Sequence, residues 1–326
     1  MSKIKPIIII AGEPNSVFSE IFFKTMKKKW FKKFSRPLIL IASSDLILHQ
    51  MKKLRFDFKI KIIKSNFLNK SQTLDNTKIN IINVDYRYKK PFEKISDKSN
   101  IYLESCFKIG VDLMSKNLAH ALINGPISKR NFLKGRFSGI TEYLAKKTNK
   151  ENKVAMLIYN KKLSVSPITT HLPLKDVHRK ITKIKIVNQV KLINLFYKKM
   201  FNKKPKIAIT GLNPHCESNY KTSEEKKIIT PAIKMLIKQK FLVSGPFPAD
   251  TIFLKDQLKL YDVVVGMYHD QVLTPIKTLF NFNAINITLG LPFIRISPDH
   301  GPNSSMLGKN LSDPKSLIEA LKFLDK

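Results

Sequence analysis

The 326-residue chain predicts an α/β protein with largely parallel strands. Three observations carry that prediction. Short apolar runs rich in β-branched residues recur along its length, and longer amphipathic stretches separate them. Three of the runs lead into a histidine, at the place where an open parallel sheet presents reactive groups to a ligand.

The first run, KPIIIIAG, reads as a buried strand. It is shorter than the roughly 7–15 residues of a signal-peptide core, and Glu13 and Pro14 follow it. SVFSEIFFKTMKKKWFKKF is the first helical pattern, with Asn15 or Ser16 placed to cap it and Glu20 in its first turns. PLILIAS and KINIINV are strands, then YLESCFKIGVDLMSKNLA a helix and HALINGP a strand. VAMLIYN and LSVSPIT precede the long helix ITKIKIVNQVKLINLFYKKMF. KIAITGL, the helix TPAIKMLIKQK, and the strands FLVSGPF, DVVVGMY and NAINITLG complete the alternation. The last helix, DPKSLIEALKFL, follows a Gly/Pro/Asn/Ser-rich loop, SPDHGPNSSMLGKN, long enough to be functional.

Composition narrows the class. No stretch approaches the roughly 20 apolar residues of a bilayer span. Cys106 and Cys216 lack a CxxC spacing, so neither a disulfide framework nor a paired-Cys zinc site is expected. A cytoplasmic protein without membrane attachment is the expectation. The formal charge of +35, from 59 basic and 24 acidic residues, admits a polyanion binder. However, only seven of the cations are arginines and the lysines are scattered, which points to compositional drift. Nucleic acid is therefore not the expected partner.

The chemistry concentrates at strand ends. SVSPITTHLPL leads into His171, KIAITGLNPH ends on His215, and YDVVVGMYHDQ exposes His269, Asp270 and Gln271. Three imidazoles suit a divalent cation and leave positions open for substrate, which the ion would polarise as a Lewis acid. Satisfied core or loop histidines are the rival reading. Asp250 and Asp270 are placed to fix an imidazole tautomer. Lys277, Asn286 and Arg295 form a second, cationic and polar group, and a guanidinium suits carboxylate or phosphate. No Gly-x-Gly occurs, so the Rossmann fingerprint and the P-loop are both absent.

Taken in order, AGEP, INGPISK, SGITEYLA, TTHLPL, GLNPH, GPFPADTIF, YHDQVLTPIK and NITLGLPFIRISPDHG resemble the 4-hydroxythreonine-4-phosphate dehydrogenase family of vitamin B6 biosynthesis. The resemblance runs almost end to end. It implies two α/β domains around a central cleft, like the isocitrate and isopropylmalate dehydrogenases. Residues 1–130 with 290–326 would form the first domain, on the cofactor side. Residues 131–289 would form the second, carrying the metal site and dimer contacts. It also implies a homodimer with its active site near the subunit interface and a phosphorylated small-molecule substrate.

The family's metal ligands fall on His171, His215 and His269, and its substrate contacts on Thr141, Lys277, Asn286 and Arg295. Lys277 and Asp250 are the catalytic candidates. Asp299, His300, Gly301 and Asn303 lie in the stretch matching the cofactor loop. The implied reaction is NAD-dependent oxidation of 4-phosphooxy-L-threonine, with NADP as the alternative acceptor. It requires a divalent metal (Zn, Mg or Co) and ends in decarboxylation to 3-amino-2-oxopropyl phosphate. Ile140 departs from the family, whose pattern has a substrate-binding histidine there, and Ser305 replaces an aspartate of the cofactor loop. Two rivals stand beside this reading. One is a dehydrogenase of a phosphorylated sugar acid, 4-phospho-threonate or 4-phospho-erythronate, and the other a non-catalytic or nucleic-acid-binding protein on the same scaffold.

Overall fold

A computed structural model describes residues 4–64, 74, 76–216, 222–281, 283–298 and 300–325. Its strands are, in chain order, β1 (Ile7–Ile10), β2 (Leu38–Ala42), β3 (Ile60–Ile62), β4 (Ile79–Asn83), β5 (Ala121–Asn124) and β6 (Ala155–Tyr159). There follow β7 (Ser164–Thr169), β8 (Ile207–Thr210), β9 (Val243–Phe247), β10 (Val263–Tyr268), β11 (Ile285–Leu289) and β12 (Ile294–Pro298). The helices are α1 (Phe18–Met26), α2 (Ser44–Lys53), α3 (Asn100–Ser115), α4 (Ile140–Lys147) and α5 (Leu174–Lys180). The rest are α6 (Lys183–Phe201), α7 (Thr230–Lys238), α8 (Lys255–Leu258), α9 (His269–Phe280) and α10 (Lys315–Leu324).

The chain divides into two units, Met1–Asn149 with Pro292–Lys326, and Lys150–Leu291. Residues 131–149 thus group with the first unit, not with the second as the family resemblance implies. The C-terminal segment joins the first unit because β12 pairs with β5 and α10 packs on β12 and α1.

In the first unit the strand order is β3-β4-β2-β1-β5-β12, and every pairing within it is parallel. The four isoleucines of β1 are all fully buried, as a parallel strand covered on both faces requires. Each contributes about 1.5–3 kcal/mol by leaving water. Helix α3 lies against β1, β2 and β5. The loops that leave β1 and β5 meet backbone to backbone: a Cβ on Gly125 would stand 2.2 Å from the Ala11 carbonyl, and one on Gly12 2.4 Å from that of Pro126. No side chain fits there. That contact explains why AGEP and INGP carry glycine at those positions. Neither Asn15 nor Ser16 caps α1 as expected. Val17 holds the cap position without a side-chain bond, Ser16 Oγ accepts only from Phe18 N, and the Asn15 side chain is engaged elsewhere, with Tyr86 and Glu93.

The second unit orders its strands β11-β6-β7-β10-β8-β9. From β7 to β9 they are parallel, while β6 runs antiparallel to both β7 and β11. Its core gathers Val165, Ala208, Val264, Val272, Leu273 and Ile276. Helix α9 lies over β7 and β10 through that cluster. Among the described residues no helix is long and apolar enough to cross a membrane.

Candidate functional site

In the second unit, strand register sets the site. Tyr268 of β10 stands opposite Thr169 of β7, so the residues just beyond those strands leave the sheet at almost the same level. His171 and His269 are those residues, and their rings lie 5.8 Å apart at 38°. Thr169 Oγ1 ties the two strand ends together by donating to the Met267 carbonyl at 2.8 Å. His269 Nδ1 is 2.7 Å from Asp270 Oδ1, which leaves Nε2 as its outward nitrogen. Asp270 thus has the tautomer-fixing position expected of it.

Gln271 plays a different part. It is buried, accepts from Thr210 Oγ1 and Met267 N at 2.9 and 2.7 Å, and donates to the Gly211 carbonyl at 2.8 Å. It binds the end of β8 to the turn between β10 and α9. Nothing in its sequence position distinguishes that structural role from a chemical one.

The third histidine arrives by a loop. Beyond β8, Glu225 Oε1 accepts from the backbones of Leu212 and Asn213, both at 2.8 Å, and Glu225 Oε2 from the Asn213 side chain. Burial pushes this carboxyl up, but those hydrogen bonds outweigh it and hold it below the usual carboxylate range. The loop then takes His215 and Cys216 through the left-handed region, with φ of 56° and 57°. Such a backbone is uncommon for residues other than glycine and costs on the order of 1 kcal/mol or more each. Cys216 folds back on Gly211, where a Cβ would stand 2.6 Å from its sulfur. Burial raises its thiol pKa, and Glu225 and Asp250 add to the effect. The thiol is therefore a packing group. Asp250 itself is exposed, three residues beyond β9.

Two of the three expected metal ligands are therefore brought together, and the structure does not gather His215 with them. Among the described residues no group of three His, Cys, Asp or Glu side chains stands close enough to hold a metal. The donors fit a borderline divalent ion in kind: a pair of imidazoles, one of them oriented by a carboxylate.

Lys277 is exposed on α9, two turns or about 12 Å along the axis from His269. Asn286 sits on β11 opposite Ile158, and its Oδ1 is buried without a hydrogen-bond partner. Among the described residues no group donates to that acceptor, which leaves it open to a donor from a ligand.

The other expected residues belong to the first unit. Arg295 is fully buried on β12, and its Nε donates to Asn124 Oδ1 at 2.7 Å at the end of β5. Burial pulls its pKa down to about 9 while Glu142 pulls it back up, so the guanidinium stays charged at neutral pH. Thr141 is half-buried in the first turn of α4, one residue after Ile140. Asp299 lies outside the described residues. His300 stacks at 6.5 Å on Phe18, and the Pro302 carbonyl accepts from Val17 N, so this loop leans on the start of α1. A Cβ at Gly301 would meet no atom within 4 Å, and Asn303 takes a left-handed φ of 54°. Exposed backbone around an imidazole can take a nucleotide in kind, though no phosphate-binding glycine motif is present.

The sequence model of the family described as pyridoxal phosphate biosynthetic protein PdxA matches residues 33–324. The chain belongs to the PdxA family. A 4-hydroxythreonine-4-phosphate dehydrogenase of Sulfurihydrogenibium sp. is 41% identical over 322 residues, 97% of this chain and 96% of that one. A relative from Oceanobacillus iheyensis, named for D-threonate 4-phosphate dehydrogenase, is 34% identical over 333 residues, 98% and 97% of the two chains. The crystal structure of 4-hydroxythreonine-4-phosphate dehydrogenase from Klebsiella pneumoniae matches at TM-score 0.85 and 26% identity, covering 99% of this chain and all of that one. The α/β fold read from the alternating runs is thus the fold of solved PdxA-type enzymes.

Proposed function

We propose that this PdxA-family chain oxidises the secondary alcohol of 4-phosphooxy-L-threonine. The β-keto acid formed then loses CO2 to give 3-amino-2-oxopropyl phosphate, a step of pyridoxal 5'-phosphate biosynthesis. Near-full-length identity to a relative of that name supports the substrate. The observation that carries the chemistry is the pairing of His171 with His269 at adjacent strand ends, one ring fixed by Asp270. NAD or NADP, when bound, would accept the hydride, and a divalent ion held by the paired His171 and His269 would supply the Lewis acid.

The remaining work falls to the chain. Asp270 holds the His269 ring in one tautomer. Asn286 offers its open acceptor to a substrate hydroxyl or ammonium group. Lys277 supplies an exposed cation for an anionic substrate group. In the first unit Arg295, held by Asn124, supplies a fixed guanidinium. The working species is a homodimer, which size-exclusion chromatography with light scattering checks.

The deciding assay follows NADH formation with added divalent metal. His269→Ala is expected to lose activity by about 100-fold or more. Asp270→Asn is expected to raise the metal concentration needed for half activity about 10–100-fold, with a smaller loss at saturation. Equal rates in wild type and His269→Ala would sink the metal role.

A second reading keeps the scaffold and changes the substrate to a phosphorylated sugar acid. The identity to the Oceanobacillus iheyensis relative favours it, as does Ile140, which can neither donate a hydrogen bond nor titrate. Parallel assays of the phosphorylated amino acid and hydroxy acid separate the two readings. A higher kcat/KM for 4-phospho-threonate would replace the first.

A further inference from the structure

The segment from His300 to Ser312 carries the chain from β12 towards α10. Its regular structure is a single turn, Ser304–Met306, and most of its residues are exposed. Asn303 and Asn310 stand in the left-handed region, at φ of 54° and 60°. A loop of that kind keeps one shape only where its surroundings impose it.

Helix α1 imposes it at both ends. At the start, the Pro302 carbonyl accepts from Val17 N at 3.1 Å and His300 stacks on Phe18. At the far end, Glu20 and Lys24, one turn apart on α1, take hold of the loop's backbone. Glu20 Oε1 accepts from Ser312 N, and Oε2 from Asn310 N at 3.1 Å. Lys24 Nζ donates to the carbonyls of Asn310 and Ser312, at 2.9 and 2.8 Å. Its third proton goes to Glu20 Oε1, at 2.9 Å. The two side chains thus engage the N–H and the C=O of both residues.

This is more than α1 needs for itself. An i,i+4 pair on an open helix surface contributes only a few tenths of a kcal/mol. Here only 1% of Glu20 is exposed, and a carboxylate so enclosed is tolerated because a cation and two backbone donors meet it. Charge-assisted bonds of this kind are the stronger ones. No loop side chain takes part in them, so the grip is on the backbone whatever residues the loop carries.

We infer that Glu20 and Lys24 are a positioning pair, which sets the loop after β12 in the shape that receives the dinucleotide. Their loss weakens cofactor binding and leaves the chemical step alone. The inference rests on the dehydrogenase reading, with the stretch from His300 to Asn303 meeting the cofactor. Glu20 is enclosed and acts through the loop's backbone.

The test uses the full-length protein and the variants Glu20→Gln and Lys24→Met. Hydrogen exchange of peptides covering residues 303–312, followed without cofactor, is expected to quicken about tenfold in each. The Kd for NADH or NADPH, measured by titration calorimetry, should rise about tenfold. The KM for the matching oxidised cofactor should rise by the same factor, with kcat within twofold of wild type. The double variant should be no worse than either single one, because the pair works as a unit. Thr25→Val is the control: Thr25 Oγ1 donates to the Ile21 carbonyl within α1, so its loss loosens the helix and should leave loop exchange and Kd unchanged. Loop exchange unmoved in Glu20→Gln would overturn the inference and leave the dehydrogenase reading standing. Faster exchange at unchanged Kd would overturn it too, by separating the loop from the cofactor. An equal rise in Kd for Thr25→Val would reduce the pair to general helix stability. Wild type that binds neither dinucleotide would sink the underlying reading and the inference with it.

Discussion

Glu13 shows how a single residue can be read in the sequence and its state missed. It stands in AGEP just past β1 and only 2% of it is exposed. Ser99 Oγ donates to Oε2 at 3.1 Å, while Oε1 is buried with no partner among the described residues. Burial pushes its pKa from 4.5 to about 7, against the smaller effects of Ser99 and Asn15. Between those values the folded chain holds a proton that the unfolded chain releases. Stability therefore falls as pH rises from about 4.5 to 7, by at most ~3 kcal/mol, and levels off above. Glu13→Gln keeps the hydrogen-bonding shape but cannot ionise. Urea denaturation at pH 5 and pH 8 is expected to show wild type losing ground to the variant at the higher pH. A gap between the two that ignores pH would rule out a buried charge. Arg295 was more legible, as a rare arginine set between apolar residues. Nothing local marks it as wholly enclosed and bonded to Asn124, because that bond joins residues 171 apart in the chain.

At the scale of elements, ten strands could be read because each is an apolar, β-branched run. β3 and β12 could not. β3 is a three-residue edge strand with Ile62 exposed, and β12 reads IRISP, where an arginine and a proline interrupt the apolar pattern. The antiparallel direction of β6 was equally hidden, since periodicity reports burial and not direction. The histidine pair was legible because it follows from strand ends, and β7 and β10 are neighbours in register. His215 was placed with that pair on sequence grounds, but its position depends on a loop whose left-handed residues carry no local signature. Gln271 is the element-scale test. Its side chain holds together β8, β10 and the start of α9 through three buried hydrogen bonds. Gln271→Leu keeps the volume and strands the Thr210 hydroxyl, the Met267 N–H and the Gly211 carbonyl. The expected loss is about 2–4 kcal/mol, read as a lower urea midpoint at unchanged slope. A loss under about 0.5 kcal/mol would mean that water replaces the amide and the tie is dispensable.

For the whole molecule, the dominant quantity is a formal charge of +35. The described ion pairs absorb little of it. Lys24–Glu20 joins a largely enclosed pair at 2.9 Å, whereas Lys116–Asp112 and Lys134–Asp97 lie between exposed partners. Exposed pairs of that kind contribute at most about 1 kcal/mol each. Most of the lysines therefore repel one another across the folded surface, and compaction works against that repulsion. Salt relieves it: the Debye length falls from about 30 Å at 0.01 M to about 8 Å at 0.15 M, shorter than most separations between surface lysines. The melting temperature is accordingly expected to rise by several degrees over that range. The same screening should weaken capture of a phosphorylated substrate, so KM should rise with salt while kcat holds. Differential scanning fluorimetry and the NADH assay at matched salt test both arms. A melting temperature that falls with added salt would show the surface charges to be net stabilising, through pairings beyond those described. A KM insensitive to salt would mean that the substrate's charge is met by enclosed groups, as proposed for Arg295, whose guanidinium is too deeply buried for ions to screen.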